Sequence, residues 1–370
     1  MNEKFFKRAI ELATKGEGFV SPNPCVGAVI VRGGRVVGEG WHRKFGGAHA
    51  EVEALRDAGS GAAVGVDMYV TLEPCCHHGK TGPCCEAIVE AGIEKVFVGM
   101  KDPFEKVCGR GIRYLRKHGV EVQVLPARSE LARKMRELNQ PFLKFCKTGL
   151  PYVTLKAGMS LDGKIATSGG ESKWITGEAA RKDARIERSK CDAVVVGAGT
   201  VAADDPELAA CGKWRRKKLL RVVIDGRLQL DPRKYRVFRD ENVVVACSGS
   251  ASESARRRFA DAGVEVCKFG TKRVSVERLL KYLGERGVRH LFVEGGSEVH
   301  GSFYDAFLKG GKCVDRVLFY VAPRIIGGSE ALPVVGGEGV RKLEEAFALK
   351  DFDVAKVGID LRVCGRYVRW

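Results

Sequence analysis

Apolar residues alternate with polar ones along CVGAVIVRGGRVVGEGWH at 25–42, in two runs separated by Gly33-Gly34. Period-two alternation around a Gly-Gly pair predicts a β-hairpin. A helix-like run follows from His49, and strands predicted at MYVTLEP, KVFVGM and VEVQVL are interleaved with helical patterns at 84–91 and 111–118. Strands interleaved with helices bury a sheet between helical layers, so this part of the chain reads as a three-layer α/β/α domain. From 126 to 152, PARSELARKMRELNQPFLKFCKTGLPY reads as a charged helix that breaks near Pro141 and ends in a Gly-Leu-Pro turn. The domain boundary is placed there, giving domains 1–147 and 148–370. Beyond it, strands are predicted at YVTLKAG, AVVVGA, RVVID, NVVVAC, EVCKF, HLFVEGG and RVLFYVAP, with helical patterns at 178–188 and 252–262, a second α/β unit. The tail DVAKVGIDLRVCGRYV alternates and turns near Gly358, which predicts a closing antiparallel hairpin.

The 370 residues are 45% hydrophobic and 29% charged, enough apolar material for two cores, which excludes a disordered, collagenous or coiled-coil chain. No run approaches the roughly 20 uncharged apolar residues of a membrane span. The start, MNEKFFKRAIELATKG, carries charges where a secretory signal needs its apolar stretch. A cytoplasmic protein is expected, or one of the plastid stroma if a transit peptide has been removed. Thirteen cysteines, an odd number without a secretion signal, point to reduced thiols and metal ligands rather than a disulfide framework. The formal net charge of +17 suits anionic partners, nucleic acid or phosphorylated small molecules, although much of that excess is expected to be solvated surface. The run KWRRKKLLR at 213–221 holds six cations in nine residues and reads as a solvated loop entering a strand.

The sharpest chemical signal is His49-Ala50-Glu51, followed by Pro74-Cys75 and, nine positions further, by Cys84. One imidazole and two thiolates make a three-ligand zinc site with a fourth position open to water, the arrangement of catalytic zinc. Glu51 is close enough to face that water without being a ligand, so it can take the water's proton and return it to a leaving amine. This is the logic of zinc-dependent base deaminases. Cys84 follows Pro83 at a predicted helix start, where the helix dipole stabilises a thiolate. Cys76 and Cys85 are expected to project elsewhere as small buried residues. The alternative is a closed structural zinc site drawn from Cys75, Cys76, His77, His78, Cys84 and Cys85, which leaves His49-x-Glu51 without a purpose.

These residues lie in motifs by which the chain resembles the bifunctional deaminase/reductase family of riboflavin biosynthesis: SPNPCVGAV at 21–29, HAEV at 49–52, TLEPCCHHGKTGPC at 71–84 and KDP at 101–103. The Cys-x8-Cys spacing separates this branch from nucleic-acid and cytidine deaminases, which use Cys-x-x-Cys. The resemblance implies a cytidine-deaminase-like domain with His49, Cys75 and Cys84 as zinc ligands, Glu51 as the catalytic proton shuttle and Asn23 as a pyrimidine-binding residue. Gly82 stands where the family usually has proline, which softens the loop and removes no chemical group.

The resemblance continues through KAGMSLDGKIA (156–166), GESKWIT (170–176), VGAGTVAADDPEL (196–208) and VEGGSEVHGSF (293–303), and so covers nearly the whole chain. It implies a dihydrofolate-reductase-like α/β domain that uses NADPH to open a ribosyl group to ribityl. The cofactor would touch Gly158, Trp174, Thr200, Asp204 and the segment Gly296, Ser297, Glu298, Val299, His300, Gly301 and Ser302. Substrate would touch Ser172, Arg188, Leu208 and Glu294. Arg188 can hold a phosphate bidentately and Glu294 ends a strand facing pyrimidine or ribose; alternatively Arg188 is a helix-surface charge and Trp174 a core aromatic. GAGTVA at 197–202 mimics a Rossmann fingerprint, but a Rossmann helix should continue from the third small residue, Ala202, whereas Asp204-Asp205-Pro206 should interrupt it there within one turn. These glycines, and Gly295-Gly296-Ser297 opening a helix, are read as backbone closely approached by cofactor or anion. Two departures stand out. Cys211 replaces an arginine that often binds substrate phosphate in the family, and Gly226 replaces its usual serine; Lys213, Arg215 or Arg216 is expected to supply the missing charge.

The expectation is therefore an enzyme with deaminase first and reductase second, using zinc and NADPH on a phosphoribosylated diaminopyrimidine. It would be a homo-oligomer, dimer or tetramer, with neither membrane nor nucleic acid as partner. One rival is a zinc deaminase of tRNA or single-stranded nucleic acid, which has no use for SLDGK or GGS and would bind RNA in a salt-dependent way. The other is a non-enzymatic, zinc-stabilised basic binding protein, in which Glu51→Gln would change no activity.

Overall fold

The computed structural model describes residues 1–59, 61, 63–78, 82–104, 108–367 and 369–370. Residues 79–81 of the predicted zinc-site loop lie outside the described residues. The chain divides into two units, Met1–Thr148 with Trp370, and Gly149–Arg369. No helix among the described residues is long and apolar enough to cross a membrane.

The first unit begins with α1 (Glu3–Thr14), an element not predicted above although Phe5, Phe6, Ala9 and Leu12 recur at helical spacing between its charges. Its Asn2 cap accepts from Lys4 N–H, and Phe5, Phe6, Ala9 and Leu12 share its buried face. The hairpin forms as expected from β1 (Gly27–Arg32) and β2 (Arg35–Trp41), followed by α2 (Ala50–Ala58), β3 (Asp67–Val70), α3 (Cys84–Glu90), β4 (Lys95–Val98), α4 (Arg110–Lys117), β5 (Glu121–Val124), α5 (Glu130–Leu138) and α6 (Gln140–Thr148). The sheet order is β2-β1-β3-β4-β5, antiparallel at the hairpin side and parallel from β3 to β5. Alternation sorts Ala28, Ile30, Met68, Val70, Val96 and Val98 toward α2, α3 and α4, and Val29, Val31, Tyr69 and Phe97 toward α1, α5 and α6. The result is the predicted three layers. Gly40 lets α2 lie directly on β2, since a Cβ there would stand 2.3 Å from the Ala50 carbonyl oxygen. The predicted charged helix is two helices meeting at Asn139, with Pro141 in the first turn of α6, where a missing N–H costs nothing.

The second unit runs β6 (Tyr152–Ser160), α7 (Glu178–Lys190), β7 (Ala193–Gly197), α8 (Ala198–Asp204), β8 (Leu220–Ile224), β9 (Val243–Cys247), α9 (Glu253–Asp261), β10 (Glu265–Lys268), α10 (Val276–Glu285), β11 (His290–Val293), α11 (Ser297–Leu308), β12 (Arg316–Ala322), β13 (Lys350–Val357) and β14 (Asp360–Arg366). Its sheet order is β10-β9-β8-β7-β11-β6-β12-β14-β13, parallel from β10 to β12 and closed by the antiparallel β13/β14 hairpin. β11 is inserted between β6 and β7, so the strand order reverses there, and ligands of open α/β sheets bind at the carboxyl ends of strands around such a switch point. As expected, α8 does not continue as a Rossmann helix would: it ends at Asp204, within one turn of Ala202, the third small residue of the GAGTVA run. It stops where Asp205 takes φ 42°, ahead of Pro206.

Candidate active sites

Three short elements bring the first site together. His49 precedes α2 in extended backbone, Cys84 is the first residue of α3 behind Pro83, and Cys75 lies in the loop after β3. His49 Nδ1 is 3.2 Å from Cys84 Sγ and 3.4 Å from Cys75 Sγ, and the two sulfurs are 3.5 Å apart. All three donor atoms fall within 4.8 Å of one another. The Cys84 N–H also points to Cys75 Sγ, at 3.4 Å. The Cys84 thiol, with help from His49 and against burial, holds Cys75 well below the usual thiol range, whereas Cys84 is pushed up by that neighbour and by burial. A soft donor set of one imidazole and two thiols converging on one point fits a zinc ion. Glu51, in the first turn of α2, is 3% exposed, and burial pushes its carboxyl up to about 7, opposed by His49. A carboxyl that titrates near neutrality can both accept and release a proton.

The rival cysteines and histidines do not gather with this trio. The Cys85 thiol donates to the carbonyls of Pro74 (3.4 Å) and Gly111 (3.6 Å) inside the core, Cys76 is half-buried, and His78 lies exposed beside Glu86. Gly111 matters for the trio as well, since a Cβ there would sit 2.0 Å from the Pro74 carbonyl oxygen next to Cys75. Glu73, unassigned from the sequence, is buried and accepts the backbone N–H groups of Asp102 (3.2 Å), Gly109 (3.0 Å) and Ile112 (3.2 Å), tying the cysteine loop to the KDP segment. The half-buried Asn23 lies 3.1 Å through its Nδ2 from His42 Nε2, and His42 Nδ1 is 2.9 Å from the Ala48 carbonyl. Sequence reasoning passed over His42, although its place seven residues before His49 is a usable signal.

In the second unit, Arg188 Nη1 is 3.1 Å from Glu294 Oε2, with the two side chains 11% and 12% exposed. Burial alone would raise the Glu294 carboxyl, but Arg188 and Lys156 outweigh it and hold it below the usual range. Arg188 is thus an enclosed ion-pair member rather than a helix-surface charge, and Lys156 is a neighbour the sequence did not single out. Trp174 is 62% exposed, with the Arg181 guanidinium 4.3 Å above its ring, so it is not a core aromatic. Asp204 closes α8 and pairs with Lys173 at 3.0 Å, Thr200 and Ser172 are half-buried, and Gly158 faces Thr176. Leu208 is buried with φ 57°. Within 296–302, Gly296 is half-exposed and Glu298 and Ser302 are exposed, while Ser297, Val299, His300 and Gly301 are buried by the turn of α11. The His300 ring faces the core, with Nδ1 2.9 Å from the Val334 carbonyl and Nε2 3.4 Å from that of Val293. Cys211 N–H donates to Ser189 Oγ (2.8 Å), which places this segment beside Arg188. Arg215 and Arg216 are exposed and have no ion-pair partner among the described residues.

Comparison with known proteins gives a consistent result. The family described as RibD C-terminal domain matches residues 151–362, and the cytidine and deoxycytidylate deaminase zinc-binding region matches residues 1–100. The chain is 43% identical over 365 residues to the riboflavin biosynthesis protein RibD of Bacillus amyloliquefaciens, covering 98% of this chain and 95% of the relative. It is 35% identical over 374 residues to that of Escherichia coli strain K12, covering 97% and 98%. The structure of Acinetobacter baumannii RibD, form 1, superposes with a TM-score of 0.85 at 35% identity, covering 99% of this chain and 98% of that one. A diaminohydroxyphosphoribosylaminopyrimidine deaminase/5-amino-6-(5-phosphoribosylamino)uracil reductase from Thermotoga maritima does so with a TM-score of 0.81 at 36% identity, over the same shares.

Proposed function

The chain belongs to the RibD family of bifunctional riboflavin-biosynthesis enzymes, and from that premise we propose that residues 1–147 hydrolytically deaminate 2,5-diamino-6-(5-phosphoribosylamino)pyrimidin-4(3H)-one and residues 148–370 reduce the product's ribosyl group to ribityl. The first domain is cytidine-deaminase-like, the second dihydrofolate-reductase-like, and zinc and NADPH are the cofactors. The observation that carries the reading is the convergence of His49, Cys75 and Cys84 within 4.8 Å beside the buried Glu51. Zinc held by those three residues supplies a Lewis acid and makes water nucleophilic at neutral pH. Glu51 would take the two protons of the attacking water in turn, giving one to the ring nitrogen beside the reacting carbon and the other to the amino group, which leaves as ammonia while the ring carbon becomes a carbonyl. Asn23 orients the pyrimidine.

In the second domain NADPH supplies the hydride. Arg188, beside the Cys211 segment, holds the substrate phosphate, and Glu294 bonds ribose or pyrimidine hydroxyl and amine groups. The cofactor lies along Gly158, Trp174, Thr200, Asp204 and the 296–302 turn, where the glycines and the first-turn amides of α11 favour a phosphate. A deaminase of nucleic acid would leave this half unused. A homo-oligomer is supported by the apolar side chains exposed on the terminal hairpin, Phe352 at 61% and Val354 at 47%. The test is to incubate the purified chain with the diaminopyrimidine phosphate with and without NADPH. Deaminated product alone is expected without NADPH and its two-hydrogen reduction product with it; an unchanged substrate mass in both refutes the reading.

A further inference from the structure

Asn23 and His42 form a contact whose polarity is fixed by a third residue. The Ala48 carbonyl can only accept, so the His42 nitrogen 2.9 Å away, Nδ1, must carry a hydrogen. The ring is 2% exposed, and the atom facing its other nitrogen, Nε2, is Asn23 Nδ2, an amide nitrogen that can only donate, so Nε2 accepts through its lone pair. Asn23 meets that lone pair at 3.1 Å, and of its two amide atoms only the nitrogen can donate. The amide oxygen is then the atom left over, and it takes no hydrogen bond from a described residue.

Two further contacts make this a fixed arrangement. The loop carrying Asn23 is clamped from the other side by Asn139, which accepts Cys25 N–H at 2.8 Å and donates to the Cys25 carbonyl at 3.0 Å. Ala48 directly precedes His49, and the His42 ring stands edge-on to the His49 ring with centroids 5.2 Å apart. One ring therefore sets both the spacing between the Asn23 loop and the His49 segment and the rotation of the Asn23 amide.

Resting on the reading above, in which Asn23 faces the pyrimidine, we propose that His42 is a positioning and specificity-determining residue for deamination. It turns Asn23 so that Oδ1 is presented as a hydrogen-bond acceptor, which selects a pyrimidine edge that offers an N–H over one that offers a bare ring nitrogen. Were the His42 ring inverted, the same asparagine would present its NH2 group and select the opposite edge.

Three substitutions separate this from simple packing. The glutamine side chain of H42Q reaches far enough to accept from Asn23, the asparagine of H42N reaches only the Ala48 carbonyl, and the phenyl ring of H42F makes neither bond. Expected is a deamination KM raised about fivefold in H42N and H42F, the worth of one net hydrogen bond, with H42Q near the parent value. Zinc content and reduction of supplied deaminated intermediate should stay at parent levels in all three. In an N23A background H42F should add nothing further. Nitrogen-15 NMR should show Nδ1 protonated and Nε2 bare. Equal KM values for H42Q and H42N, an H42F effect undiminished by N23A, or a protonated Nε2 each overturn the proposal. A parent chain without deaminase activity would instead sink the functional reading, and the NMR result would still decide the amide orientation.

Discussion

Glu187→Gln tests whether a buried charge network anchors the part of the second unit that carries Arg188. Glu187 lies on α7, is 8% exposed, and accepts from Lys190 Nζ at 2.7 Å and Arg316 Nη1 at 3.1 Å, with Arg362 Nη2 at 3.7 Å. Burial would raise its carboxyl, but Arg316, Lys190 and Arg362 together hold it at about 2, against an ordinary 4.5. At about 1.4 kcal/mol per pH unit, that gap corresponds to about 3 kcal/mol of folding stability. The sign follows from the depressed value: the contribution is fully present above the unfolded pKa near 4.5 and is lost as pH falls through about 2. The glutamine variant should therefore be about 3 kcal/mol less stable at pH 7, the same order as breaking one partner out of a buried ion pair. Less than about half of that difference should remain at pH 3. Urea unfolding, read by hydrogen exchange in the strand Arg316–Ala322, measures both points. A difference of the same size at pH 3 and pH 7, or none at pH 7, would refute the assignment of the stability to the ionised carboxylate.

Metal analysis should find one zinc per chain, lost in Cys75→Ser and Cys84→Ser and kept in Cys76→Ser and Cys85→Ser; the reverse pattern would mean the wrong thiols were chosen. Glu51→Gln should keep zinc and lower deamination by roughly 10² to 10⁴, leaving NADPH-dependent reduction of supplied intermediate unchanged. Gly111→Ala forces a methyl group against the Pro74 carbonyl, so about 1–3 kcal/mol of overpacking strain should appear as weaker zinc retention in a chelator competition. Replacing Lys213, Arg215 and Arg216 together by alanine should raise the reductase KM for the phosphorylated substrate on the order of tenfold at low salt without moving that for NADPH. If KM does not move, the run is solvated surface, and Cys211→Arg should then tighten substrate binding.

The hairpin around Gly33-Gly34, the strands of both sheets and the break near Pro141 were legible in the sequence because each rests on a period or a turn residue acting over a few positions. The His49, Cys75 and Cys84 trio was legible for a related reason, since a metal site restricts which residue types can occur and at what spacing. α1 went unpredicted although its signal is equally local, with Phe5, Phe6, Ala9 and Leu12 at helical spacing behind the Asn2 cap. α10 escaped notice similarly, although Ser275 caps it and Leu279, Leu280 and Leu283 are buried. Local sequence could not say whether Arg188 faces solvent or Trp174 the core, because burial depends on what distant segments bring: Glu294 lies 106 residues beyond Arg188. The same holds for the sidedness of Asn23, which is set by a carbonyl at Ala48 through a ring at His42. Spacing and chemistry along the chain thus determined which elements form and which atoms could bind a metal. Protonation, burial and the direction in which a polar group points were decided only by the tertiary structure, since each depends on the field and the partners that folding assembles from far along the sequence.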